Sequence, residues 1–219
     1  APAVGGVSGT SGAFATGAGT TENITPLVSG NGALNLALTT TTSTAFSLAS
    51  RESGANAPQL VIETQGGPTA TATSTTGPVS TFTPTRTPSP TPTNTPTLTP
   101  GGGVSTFTFT PIADAYVNEA SVATNFGTAT TLREDASPIV RSYLRFNVQG
   151  LSGAVTRATL RVFTNSASST GYEVRNVTDN TWGELTINFT NAPAVGGVSG
   201  TSGAFATGAW TTVDITPLV

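Results

Sequence analysis

Cysteine, histidine, lysine and methionine are all missing from this chain of 219 residues, and only 9% of its residues are charged. Without Cys or His there is no cluster to bind zinc or haem or to run redox chemistry. The same absence removes the commonest nucleophile and general base available at neutral pH. Eight arginines against eleven carboxylates leave a net charge of −3, so the basic footprint of a nucleic-acid-binding protein is missing as well. No apolar run reaches the 18 or so residues that a membrane-crossing helix needs. Catalysis would have to rest on carboxylate pairs such as Glu134/Asp135 or Asp179/Glu184. On the turns of a β-protein such pairs are solvated or structural, and the chain is read as not an enzyme. No cofactor is called for.

What is there is first of all a repeat. Residues Ala1–Val28 return as Ala192–Val219, with 25 identities in 28 and a spacing of 191 residues. The differences are Gly19 against Trp210, Glu22 against Val213 and Asn23 against Asp214. A repeat this long reports duplication of a whole domain. Between the copies the composition changes sharply: residues 66–103 hold 8 of the 15 prolines, one charge, Arg86, and one aromatic, Phe82. Such a stretch cannot bury a core and reads as a linker. The chain therefore divides into 1–65, the back part of one domain, the linker 66–103, and 104–219, the front and centre of the next copy. Joining 104–219 to 29–65 gives 153 residues, an ordinary size for one hydrophobic core. Neither end of the chain is expected to be a domain edge. The front strands missing from 1–65 are expected from another copy.

Within the linker, Thr-Pro recurs at Thr83, Thr87, Thr91, Thr95 and Thr99, with Ser89-Pro90 inserted. Each proline fixes its own φ and pushes the preceding residue into the extended region. At about 3.1 Å per residue, 38 residues of polyproline II would reach about 118 Å. The five threonines are candidates for O-glycosylation. Val79, Phe82 and Leu98 are the apolar side chains that would pack the linker against a neighbour.

Apolar alternation fills the rest: Phe107 and Phe109; Leu144, Phe146 and Val148; Ala158, Leu160 and Val162; Leu185, Ile187 and Phe189; Val213 and Ile215; Leu34, Leu36 and Leu38; Leu60 and Ile62. Ten to twelve short strands separated by Gly, Asn, Ser and Pro turns predict an all-β antiparallel sandwich with one apolar face per sheet. Alternation also turns Arg141, Tyr143 and Arg145 away from the core on one strand, and Arg161 and Phe163 on another. If these strands are neighbours, Tyr143, Arg145, Arg161 and Phe163 form one Arg-rich aromatic face. Such a face suits acidic sugars, because guanidinium forks pair with carboxylates and aromatic rings stack on sugar faces. Asp114, Asn118 and Glu119 offer hard oxygen ligands of the kind calcium takes.

The ordered series Asp114-Ala115-Tyr116-Val117, Asn125-Phe126-Gly127, Leu132-Arg133, Arg141-Ser142-Tyr143-Leu144-Arg145-Phe146, Ala158-Thr159-Leu160-Arg161, Trp182-Gly183-Glu184-Leu185-Thr186, Asn191-Ala192-Pro193, Trp210, Asp214-Ile215-Thr216 and Pro58-Gln59-Leu60 resembles the DNRLRE domain family. That family is related to disaggregatase repeats and to alginate-binding carbohydrate-binding modules. The resemblance implies a jelly-roll sandwich of secreted bacterial or archaeal proteins, often in tandem, some binding acidic polysaccharide. With the Thr-, Ser-, Gly- and Pro-rich composition, it places the chain outside the cell or at its surface, in a prokaryote.

The leading expectation is a structural unit of an extracellular fibre or stalk, with β-sandwich beads polymerised head to tail. Its partners are other copies of itself. The alternative is a module that recognises an acidic polysaccharide.

Overall fold

The structure, a computed structural model, describes residues 30–66 and 103–218. Among them are eleven strands and three short 3-10 turns: β1 (Gly32–Thr39), β2 (Phe46–Ala49), β3 (Gln59–Gln65), β4 (Val104–Phe109), β5 (Ala113–Asn118), β6 (Thr131–Ala136), β7 (Ile139–Val148), β8 (Ala154–Phe163), β9 (Glu173–Asn176), β10 (Val198–Thr201) and β11 (Trp210–Asp214). All pairings are antiparallel. One sheet runs β10-β9-β1-β7-β6-β2, with β5 also on β7, and the other runs β11-β8-β3-β4. Together they make the all-β sandwich that the alternation predicts. No helix among the described residues is long and apolar enough to cross a membrane.

Period-2 patterning builds the space between the sheets. Leu34, Leu36 and Leu38 of β1 and Leu144, Phe146 and Val148 of β7 face Leu60 and Ile62 of β3 and Leu160 and Val162 of β8, all buried in one cluster. Truncating any one of these leucines to Ala costs about 2–5 kcal/mol, the transfer term plus the cavity left behind.

Within residues 30–66, β1 and β3 are interior strands of the two sheets and β2 is an edge strand. β1 is hydrogen-bonded to β7 on one side and to β9 on the other. β3 lies between β8 and β4. Strands from both sides of the linker therefore share one sandwich.

Three expectations need correction. The seven-stranded sheet has two apolar faces, not one, because the loop 178–197 folds over its outer side. Ala37, Ala115, Val117, Tyr143, Val177, Trp182 and Ile187 form a second buried cluster there. The run Leu185–Phe189 is not a strand: Gly183 O accepts from Thr186 N at 3.1 Å and from Ile187 N at 2.8 Å, which curls the backbone, and Leu185 is 65% exposed. Asn and Thr side chains complete that curl, with Asn188 Oδ1 accepting from Thr190 N at 3.0 Å and Asn191 Nδ2 donating to Thr186 O at 2.9 Å. Local polar bonds of this kind compete with a strand ladder. Finally, β7 and β8 belong to different sheets, so their outward residues do not form one face.

Candidate functional site

Tyr143, Arg145, Arg161 and Phe163 lie on opposite sides of the sandwich. Tyr143 is fully buried beneath the loop 178–197 and donates its hydroxyl hydrogen bond to Pro193 O at 2.7 Å. Burial pushes its phenol pKa up. Arg145 donates from Nε to Asn35 Oδ1 at 2.9 Å and from Nη2 to Trp182 O. Its guanidinium carbon lies 4.4 Å from the Trp182 ring centroid. Trp182 Nε1 also donates to Asn35 Oδ1, at 3.1 Å. Arg145 and Tyr143 thus pin the loop to the sheet and are spent on that task.

Arg161 and Phe163 stand partly exposed on the outer face of the four-stranded sheet, with Trp210 and Gln59 also partly exposed and Thr212 and Asp214 exposed. Register places Trp210 opposite Phe163, then Thr212 opposite Arg161 opposite Gln59, then Asp214, Thr159 and Val61 in the next row. The Phe163 and Trp210 rings meet edge to face at 5.5 Å between centroids. The Arg161 guanidinium carbon lies 4.9 Å from the Trp210 centroid, and Nη1 donates to Gln59 Oε1 at 3.0 Å. Among the described residues, that bond occupies one of five N–H donors, so the rest of the fork is aimed outward beside two half-exposed rings. Such an arrangement offers apolar ring surface for a pyranose and a bidentate donor for a carboxylate.

Trp210 is a member of this patch that the sequence analysis did not name as one. The signal was present: if Val213 and Ile215 face inward, Trp210 and Thr212 must face outward. The far end of the face mixes both signs, Asp214 and Glu63 with Arg157. Asp214 is held below the usual carboxylate range, first by the Thr216 hydroxyl and then by the Thr216 N–H. Glu63 pairs in register with Arg157.

Asp114, Asn118 and Glu119 are not brought together. Asn118 accepts from Ala120 N at 2.8 Å, and Glu119 accepts from Ile139 N at 2.9 Å. Asp114 instead meets Glu52 and Glu184, with carboxylate oxygens within 4.8 Å of one another. Arg51 ties this group: its N–H donates to Asp114 at 2.7 Å, and its Nη2 donates to Glu184 at 2.7 Å and pairs with Glu52 at 2.9 Å. Asp114 is pushed up to about 7, chiefly by burial, with Glu52 and Glu184 adding to the rise. These three carboxylates are the group among the described residues whose chemistry suits a hard cation.

Glu134 is fully buried on the inner side of β6, and neither oxygen has a hydrogen-bond partner. Burial drives its pKa well up, while nearby Ser142 and Arg141 pull it down. Ser142 is close enough to act on that charge, yet its hydroxyl donates to Arg133 O at 3.1 Å. Glu134 belongs to the core and not to the Trp210 patch. The linker residues Val79, Phe82, Leu98, Thr83, Thr87, Thr91, Thr95 and Thr99 lie outside the described residues.

An antiparallel sandwich with an aromatic and guanidinium patch on one sheet face is an arrangement suited to holding a sugar. The family whose profile matches is carbohydrate-binding module family 96, over residues 105–219. That is more than half of the chain, and the chain belongs to this family. A module of this kind is not itself catalytic. The matched stretch contains β4 to β11 but neither β1 nor β3. No curated protein and no solved structure matches the chain.

Proposed function

We propose that this protein binds an acidic polysaccharide outside the cell, through the outer face of the four-stranded sheet. The observation that carries the reading is the grouping of Trp210, Phe163 and Arg161, with ring centroids 5.5 Å apart and a guanidinium 4.9 Å from the indole. The family supports carbohydrate as the ligand, and the guanidinium favours uronate over neutral sugars. With a net charge of −3 the whole molecule repels a polyanion, so recognition depends on this local patch.

Affinity electrophoresis in gels containing a uronic-acid polymer or a neutral glucan tests it. The protein is retarded by the uronate gel, and Trp210→Ala or Arg161→Ala abolishes retardation while the circular dichroism spectrum is unchanged. Equal retardation by both polymers, or none by either, sinks the reading.

A second reading, a unit of an extracellular fibre, is favoured by a separate observation. Strands from both sides of a Thr/Pro-rich linker build one sandwich, so successive beads are able to share strands. The two readings are compatible, since a fibre of binding modules gains avidity from repetition.

A further inference from the structure

β3 and β4 are antiparallel neighbours, in register from Leu60↔Phe109 to Gln65↔Val104. At the end of the pair, Gly66 N–H meets Gly103 O at 3.5 Å. Strands in this relation are ordinarily joined by loops of about two to five residues. Here 36 residues, 67–102, stand between them, eight of them proline. A sequence of that composition favours an extended course. Bringing its two ends together pays a closure entropy that a tight turn avoids. Nothing in the β3–β4 pairing needs the length.

The rest of the fold is built to receive strands. Taken without 30–66, residues 103–218 leave β7 and β9 unjoined where β1 runs between them, and β8 and β4 unjoined where β3 runs. β1 carries Leu34, Leu36 and Leu38 into the core, and β3 carries Leu60 and Ile62. One segment is a complete donor of strands and the other a complete acceptor.

We infer that residues 30–66 of one copy fill the sandwich of residues 103–218 of a second copy, so that each linker runs between two sandwiches. This deepens the fibre reading and is independent of glycan binding. Donor and acceptor are different surfaces, so the contact is head to tail and propagates.

The terminal repeat fits the same arrangement. Residues 1–28 precede the donor and nearly copy 192–219, the stretch that supplies β10 and β11. An identical copy arriving with the donor would compete for the β11 position. Two of the three differences penalise it there. Glu22 stands for Val213, which is 2% exposed and paired with Leu160, and a buried carboxylate without a partner is strongly disfavoured. Gly19 stands for Trp210, which packs on Phe163 and Arg161. The acceptor keeps its own β11.

The chain has no cysteine, so engineered thiols report directly. Ala33 and Asn147 are exposed register partners on β1 and β7. The full-length protein carrying Ala33→Cys and Asn147→Cys, after mild oxidation, runs on a denaturing non-reducing gel at multiples of the 21.9 kDa chain and collapses to one band on reduction. The same pair in a chain lacking 67–102, where Gly66-Gly103 forms a two-residue turn, runs as a single chain. Glu63→Cys with Arg157→Cys, partners on β3 and β8, gives the same two patterns. Loss of free thiol in either full-length pair with only a 21.9 kDa band overturns the proposal, and uronate binding measured on that sample shows whether the glycan reading stands without it.

Discussion

Arginines that alternate alike along β7 and β8 do different work. Arg145 spends its donors on Asn35 and Trp182 O beneath a loop, whereas Arg161 keeps most of its fork beside partly exposed rings. Arg145→Ala is therefore expected to lower the urea midpoint, because Trp182 O loses its side-chain donor and the indole loses the guanidinium beside it, while Asn35 Oδ1 keeps only its bond from Trp182 Nε1. Binding per folded molecule should be unchanged. Arg161→Ala should do the reverse, reducing affinity for a uronate polymer about tenfold or more with little change in stability. Parallel urea melts and titration calorimetry separate them. Val213→Glu, which imports the residue found at position 22, is expected to cost several kcal/mol, since the site is 2% exposed in the core.

Two carboxylates set a pH dependence with a definite sign. Asp114 is raised to about 7 and Glu134 well above its ordinary value, both mainly by burial. The folded state therefore holds protons that the unfolded chain has released, and stability falls as pH rises. For Asp114 the contribution is full below about 4 and is lost on the way to about 7. Thermal melts between pH 4 and 8 should show this decline, and Asp114→Asn should flatten it. A divalent cation held by Glu52, Asp114 and Glu184 would oppose the decline by stabilising the ionised form. Melts at pH 8 with and without calcium read that directly.

At the scale of elements, the loop 178–197 matters as much as any strand. It covers the outer face of the seven-stranded sheet with Trp182 and Ile187 and is stitched down by Asn125, whose Nδ2 donates to Glu184 O and Ile187 O, both at 2.7 Å. Trp182→Ala should cost about 3–5 kcal/mol and increase amide exchange in β1 and β5, as hydrogen exchange would show. Most strands were legible because Leu, Ile, Val and Phe alternate with polar residues along them. The loop was not. Its Leu185, Ile187 and Phe189 alternate as a strand does, but Gly183 and the Asn and Thr side chains bond the backbone locally and win over the ladder. The candidate face was half legible: Arg161 and Phe163 were read as outward, and the parity that turns Trp210 outward was available in Val213 and Ile215.

For the whole molecule, a polyanion approaching a chain of net charge −3 meets long-range repulsion and one short-range guanidinium patch. Raising the salt screens both. The patch contact is the closer of the two, so affinity should fall only modestly between 0.05 and 0.5 M salt, about threefold or less, as measured by affinity electrophoresis. A steep loss would point instead to diffuse charge attraction. Deleting 67–102 should leave uronate affinity per site unchanged while removing the avidity of an assembled chain, a difference that surface-immobilised polymer would register.

The sequence alone determined the β-class, the inward face of nearly every strand, the duplication and the absence of metal- or redox-ready Cys and His, because these follow from composition and a two-residue period. It also placed a proline-rich break between two stretches able to bury a core. Only the tertiary structure decided which outward residues meet solvent. The period assigns a side chain to one of two faces, but whether that face is open depends on sheet membership and on what loop crosses it. For the same reason Arg145 is a fastener and Arg161 a candidate ligand contact, and Asp114 finds Glu52 and Glu184 from distant loops instead of its sequence neighbours.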